Sequence, residues 1–222
     1  MNWLKQLQNE MEEITQTAAY AFFPPIGSYT KPYYNLRLEH TKQVEKEALK
    51  LLATHSSADS DIVLASVWIH DRCKPQFDGA SHGNKAADWT LHNLENKGFP
   101  KHKVNAVEYA VRNHTGFTKK QLSTLESQIL WDADKLAHYG PSYFFQYFFI
   151  FTSEIICNRE TSFDIKFNET ISVDNLMPAI IRMKHDLDHS APNPFHLEES
   201  RRIYKEKVEA VNVFLEAMQK QL

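Results

Sequence analysis

The chain has 222 residues, of which 42% are hydrophobic and 24% charged, with a formal net charge of -3 and a pI near 6.4. That balance suits a globular protein with its own core and shows no basic footprint for a large nucleic-acid surface. Two cysteines, Cys73 and Cys157, are too few for a disulfide scaffold and lack a paired metal-binding spacing.

Long 3.6-period stretches and only 6 glycines point to an all-α protein. The expected organisation is a single domain over 1–222. Residues 2–19 read as a helix without the apolar core of a signal peptide. The following AFFPPIGSYTKPYY is an aromatic loop enforced by Pro24, Pro25, Gly27 and Pro32. A second helix starts at Tyr34, and its stripe of Leu36, His40, Val44, Ala48 and Leu51 turns His40 inward. Arg37 lies three residues before His40, on the same end of that face.

Ser60 and Asp61 are the cap candidates for an apolar run, Ile62 to Ile69, that closes on His70-Asp71. A histidine and a carboxylate at the end of a buried helix are costly to place unless a charge, most simply a metal ion, compensates them. The next loop places His82 just ahead of a helix that ends at Gly98 and Pro100. Val104, Val107, Val111 and His114 then recur at spacings of 3, 4 and 3, and Gly116 stops that helix. In the next segment Leu130 and Asp134 stand four apart on one face.

Residues 142–157 read as an aromatic helix and 158–176 as a polar excursion with a short hairpin. A short helix near 175–186 precedes a long terminal one. Tyr204, Val208, Val211, Leu215 and Met218 form a seam there, expected to pack on the body, with a homodimer contact as the alternative. No uncharged apolar run reaches about 18 residues, so a cytoplasmic protein without a membrane span is expected.

His40, His70, Asp71, His82, His114 and Asp134 thus each close or sit within an inward-facing segment. Imidazole with carboxylate suits Fe, Mn, Zn or Ni, whereas an all-oxygen shell would suit Mg or Ca. His55, His92, His102, His138 and His196 lack this context, although His138 lies one turn after Asp134. The pairs His185-Asp186 and Asp188-His189 fall in a polar segment read as surface. No Cys-His-Asn arrangement supports Cys73 as a catalytic thiol.

The order H, HD, H, H, D resembles the HD-domain superfamily of metal-dependent phosphohydrolases. RLEHTKQV, VWIHDRCKP, SHGNKAADWTL, VRNHTG and LWDADKLAHYG are similar to its successive motifs, over about 34–140. The resemblance implies an HD-like helical bundle over 34–140, with an N-terminal helix and aromatic loop over 1–33 and a mostly helical extension over 141–222. It implies one metal on His40, His70, Asp71 and Asp134 and a second on His82 and His114, bridged by Asp71. Asp134 is favoured over Asp132, expected in an outer shell or at the surface.

One or two divalent transition-metal ions are therefore expected, Fe or Mn first, with Zn, Ni, Co or Mg as alternatives. Two such ions lower the pKa of a shared water and hold a phosphoryl oxygen, so a metal-bound hydroxide is the expected nucleophile. Asp71, Lys74, Arg37 and Lys135 are the expected catalytic residues, the cations meeting developing negative charge. The expected substrate is a small phosphorylated compound, a nucleotide above all, with no stable nucleic-acid or membrane partner. Two departures stand out: Arg72 replaces a small apolar residue and Cys73 a glycine, changes expected to alter the pocket's charge and the loop's backbone. The same six ligands would serve a di-iron oxygenase, and a non-catalytic metal- or nucleotide-binding module is a third reading.

Overall fold

The computed structural model describes residues 2–28, 30–74, 81–116, 119–146 and 194–220, and every regular element among them is helical. The long elements are α1 (Asn2–Phe22), α2 (Leu36–Thr54), α3 (Ser60–Ile69), α4 (Ser81–Asn93), α5 (Val104–Asn113), α6 (Leu125–Ala137) and α7 (Glu198–Gln219). The hairpin expected within 158–176, the helix near 175–186 and the two late His/Asp pairs lie outside the described residues. No helix among the described residues is long and apolar enough to cross a membrane.

The chain divides into two compact units. The first is Met1–Ala137 with Asn193–Arg201, the second His138–Pro192 with Arg202–Leu222. In the first, α1 buries Trp3, Leu7, Met11, Thr15 and Ala19, one residue per turn, and packs on α2 and α3. Asn35 caps α2 by accepting the Leu38 N–H, and its amide donates to Thr15 Oγ1, so one side chain starts α2 and ties it to α1.

Asp59, rather than Ser60 or Asp61, caps α3, accepting the N–H groups of Asp61 and Ile62. From Ile62 to Asp71 every residue of the chain is buried. The absence of a polar face is explained by the neighbours: α3 packs against α1, α2, α5 and α6 together. α6, opened by Thr124 Oγ1 accepting the Ser127 N–H, is likewise buried all round from Ile129 to Ala137. The segment before α7 returns to α6, with Trp131 Nε1 donating to the Pro194 carbonyl at 2.9 Å and Phe195 wholly buried.

In the second unit Tyr139 meets Tyr204 edge-on at 4.7 Å, Phe144 meets Phe214 at 5.7 Å, and Val211 and Leu215 are buried. Of the expected C-terminal seam, Tyr204, Val211 and Leu215 are among these residues, Val208 is half-buried, and the side chain of Met218 is not described. Gly140, at a φ of 88°, lets the Lys207 stem pass close over it.

Candidate metal centre

Helix ends build the site. His70 is the residue after α3, and its Nδ1–H donates to the Val67 carbonyl at 2.7 Å. That bond fixes the tautomer, so Nε2 carries the lone pair. Nε2 is buried without a hydrogen-bond partner. His114 repeats the device after α5, with Nδ1–H donating to the Val111 carbonyl at 2.6 Å. Its Nε2 faces the Nε2 of His82 at 3.2 Å. His82 lies inside the first turn of α4 and not ahead of it, because the helix starts at Ser81.

Asp71 joins these groups by dividing its oxygens. Oδ1 lies 3.2 Å from His82 Nε2, 3.6 Å from His114 Nε2 and 3.9 Å from His70 Nε2. Oδ2 lies 3.8 Å from His40 Nε2, 3.2 Å from Lys74 Nζ and 4.0 Å from Arg37. Asp134 presents Oδ1 to His40 at 3.1 Å and to His70 at 3.9 Å. All six expected ligands are buried and converge. Asp71 belongs both to a group with His40 and His70 and to a group with His82 and His114.

Burial pushes the pKa of His70 down to about 3, so the ring is neutral at ordinary pH. Burial alone would raise that of Asp71, but the neighbouring His70, His114 and His82 and the charge of Lys74 together hold it well below the usual carboxylate range. A neutral imidazole with a free lone pair beside an ionised carboxylate is the ligand form of both groups. A cation therefore fits: His70 Nε2 is buried without a hydrogen-bond partner, and the Nε2 atoms of His82 and His114 face each other at 3.2 Å beside the Asp71 carboxylate.

The surrounding cations separate into two kinds. Arg37 and Lys74 are part-exposed, with side chains 34% and 26% accessible. Lys135 is buried, with Nζ 2.6 Å from Asp134 Oδ2 and 3.0 Å from the His114 carbonyl. Arg72 does not add its charge to the pocket. Its guanidinium stacks 3.4 Å over the Trp89 ring and pairs with Glu10 of α1, so the departure from the motif braces the turn that holds Asp71. Burial raises the pKa of the Cys73 thiol, which keeps it protonated.

Asp132 corrects the expectation of a surface or outer-shell residue. It is wholly buried and accepts the backbone N–H groups of His196 and Leu197, at 2.9 and 2.8 Å. Two helical positions from Asp134, it points to the opposite side of α6. His138 belongs to the second unit, where its ring packs against Tyr143. His92 and His102 are exposed, and His55 turns its Nδ1 to the Leu51 carbonyl. Pattern reading missed Glu10, Trp89 and Gly83; for Gly83 the signal available was a glycine directly after a candidate ligand.

The fold is similar to that of solved proteins described as HD superfamily hydrolases. Over 98% of this chain and 92% of the other, it is similar to a protein described as a predicted HD superfamily hydrolase from an uncultured Thermotogales bacterium, with a TM-score of 0.62 and 17% identity. It is similar to Bacillus subtilis YpgQ, solved in complex with ADP, over 100% of this chain and 97% of that one (TM-score 0.57, 14% identity). An HD-superfamily hydrolase of Bacillus thuringiensis matches over 97% of each chain (TM-score 0.52, 16% identity). No protein-family model and no curated protein matches the sequence.

Proposed function

We propose that this chain is a metal-dependent phosphohydrolase acting on a small phosphorylated compound, with nucleotides as the favoured class. The observation that carries the reading is the division of Asp71, whose Oδ1 faces His82, His114 and His70 and whose Oδ2 faces His40, with the part-exposed Arg37 and Lys74 beside it. His40, His70 and Asp134 would hold one divalent transition metal and His82 and His114 a second, with Asp71 common to both. Ions bound there would lower the pKa of water and polarise a phosphoryl oxygen.

The chain's own contribution is orientation and charge. The bonds from Nδ1 of His70 and His114 to backbone carbonyls hold their rings with Nε2 inward. Arg37 and Lys74, with their heads partly in solvent, are placed to receive the anionic end of a substrate and to stabilise charge that develops on it. Lys135 is committed to Asp134 and supports the ligand rather than the substrate. The ADP held by the Bacillus subtilis protein supports trying nucleotides first.

The test is metal analysis of the purified chain together with a phosphate-release screen of nucleotides and sugar phosphates in added Mn, Fe, Co or Ni. Turnover that requires the metal and is lost in His70→Ala is expected. A chain without transition metal, whose activity and metal affinity ignore His70→Ala, would sink the reading. Oxygen uptake with a mixed-valent iron EPR signal and no phosphate release would replace it with oxygenase chemistry.

A further inference from the structure

Gly83 follows His82 in the first turn of α4 and is buried. Its φ is not in the left-handed region, unlike those of Gly27, Gly98, Gly116 and Gly140. The backbone there does not require glycine, and within a helix glycine is less favourable than alanine. Its use lies in what a side chain would meet. A Cβ at 83 would stand 2.6 Å from Thr115 Cγ2, 3.2 Å from His114 Cε1 and 3.5 Å from His114 Nδ1. Carbon atoms pack best at about 3.5–4.0 Å, so the methyl group cannot enter without displacing something.

The neighbours have little room to yield. The His114 ring is held by its bond to Val111, Thr115 is buried, and α4 packs on α5. The start of α4 would have to move away, and it carries His82, whose Nε2 lies 3.2 Å from both His114 Nε2 and Asp71 Oδ1. His40, His70 and Asp134 belong to α2, the end of α3 and α6, and the three atoms nearest that Cβ belong to His114 and Thr115 instead.

We propose that Gly83 is a positioning residue for the Asp71, His82 and His114 triad: its missing side chain lets α4 approach His114 closely enough for the second metal ion to be held. The inference rests on the two-ion reading above and deepens it. Displacing one ligand of three by tenths of an ångström should weaken that ion selectively, by about 10- to 100-fold on the scale of outer-shell changes at metal sites.

The experiment titrates the full metal-free chain with Mn2+ by calorimetry and checks stoichiometry by metal analysis, for the wild type, Gly83→Ala and Gly83→Ala/Thr115→Ser. The wild type is expected to take two ions. Gly83→Ala should lose at least about tenfold in affinity at one site and stay within about threefold at the other. The double variant, lacking the methyl at 2.6 Å, should recover part of the loss. An unchanged second affinity, equal weakening of both sites or no recovery in the double variant overturns the inference.

Should Gly83→Ala fail to fold, the double variant decides alone. Its remaining 3.2 Å approach to His114 Cε1 should still weaken one site, and two unchanged sites overturn the inference. A wild type that binds one ion overturns it while leaving a metal-dependent hydrolase standing. A wild type that binds none removes the underlying reading as well.

Discussion

Lys135 places its ammonium 2.6 Å from Asp134 Oδ2, on the oxygen opposite the one that Asp134 turns to His40 and His70. The carboxylate is thereby held with one oxygen toward the histidines and the other neutralised. Lys135→Met should leave a buried carboxylate short of its cation, a loss of about 3–5 kcal/mol when one partner of a buried pair is removed. Urea unfolding of the metal-free protein measures this, and added Mn2+ should restore part of it by binding the folded state. An unfolding midpoint equal to that of the wild type would show that the pair does not hold Asp134.

Asp71 differs from the other ligands in touching both histidine sets. Asp71→Ala should therefore abolish both metal sites, whereas His82→Ala or His114→Ala should empty one. Metal analysis after gel filtration distinguishes two, one and zero ions per chain. A single ion retained in Asp71→Ala, at wild-type affinity, would contradict the shared role.

The part of this centre that is legible in the sequence is the part that follows helical period. Leu36, His40, Val44 and Ala48 recur on one stripe, so the inward turn of His40 follows from residue spacing alone. His70 and His114 close apolar runs, and both lie buried at helix ends. The illegible part depends on contacts between distant segments. Arg72 reads as a charge added to the pocket, yet Trp89 and Glu10, from α4 and α1, take it up. Asp132 and Asp134 are separated by one residue, and the family pattern favours Asp134 as the ligand; that Asp132 takes backbone amides follows only from the return of Pro194 to Leu197 onto α6.

That return gives a prediction for Asp132. Its carboxylate takes the N–H groups of His196 and Leu197, and Asp132→Ala would leave these donors without that acceptor. A loss of about 1–3 kcal/mol for each buried group left unsatisfied is expected. Asp132→Asn, which keeps an accepting oxygen, should cost much less. Hydrogen exchange of the two amides provides the local check: fast exchange in the alanine variant and slow exchange in the asparagine variant. Equal protection in both would mean that the anchor lies elsewhere.

Acid should loosen the start of α3 through Asp59. Burial by itself raises the pKa of this carboxyl, but the bond and charge of Lys103 and the N–H groups of Ile62 and Asp61 outweigh it and leave the pKa below 3.8. A pKa lower in the folded than in the unfolded state means that the unfolded chain binds the proton more readily. The stabilisation is therefore complete above the unfolded value and is lost as pH falls through the folded one. Asp59→Asn keeps a capping oxygen but removes the charge that faces Lys103 at 2.8 Å. Because both side chains are only part-buried and reach solvent, the loss of the pair at pH 7 should amount to about 0.2–1 kcal/mol. The gap between the two proteins should narrow from pH 7 towards pH 2, as the pH falls through the folded-state pKa of Asp59. Urea unfolding at both pH values measures the difference, and a gap of the same size at pH 7 and pH 2 would rule out the ion pair as its source.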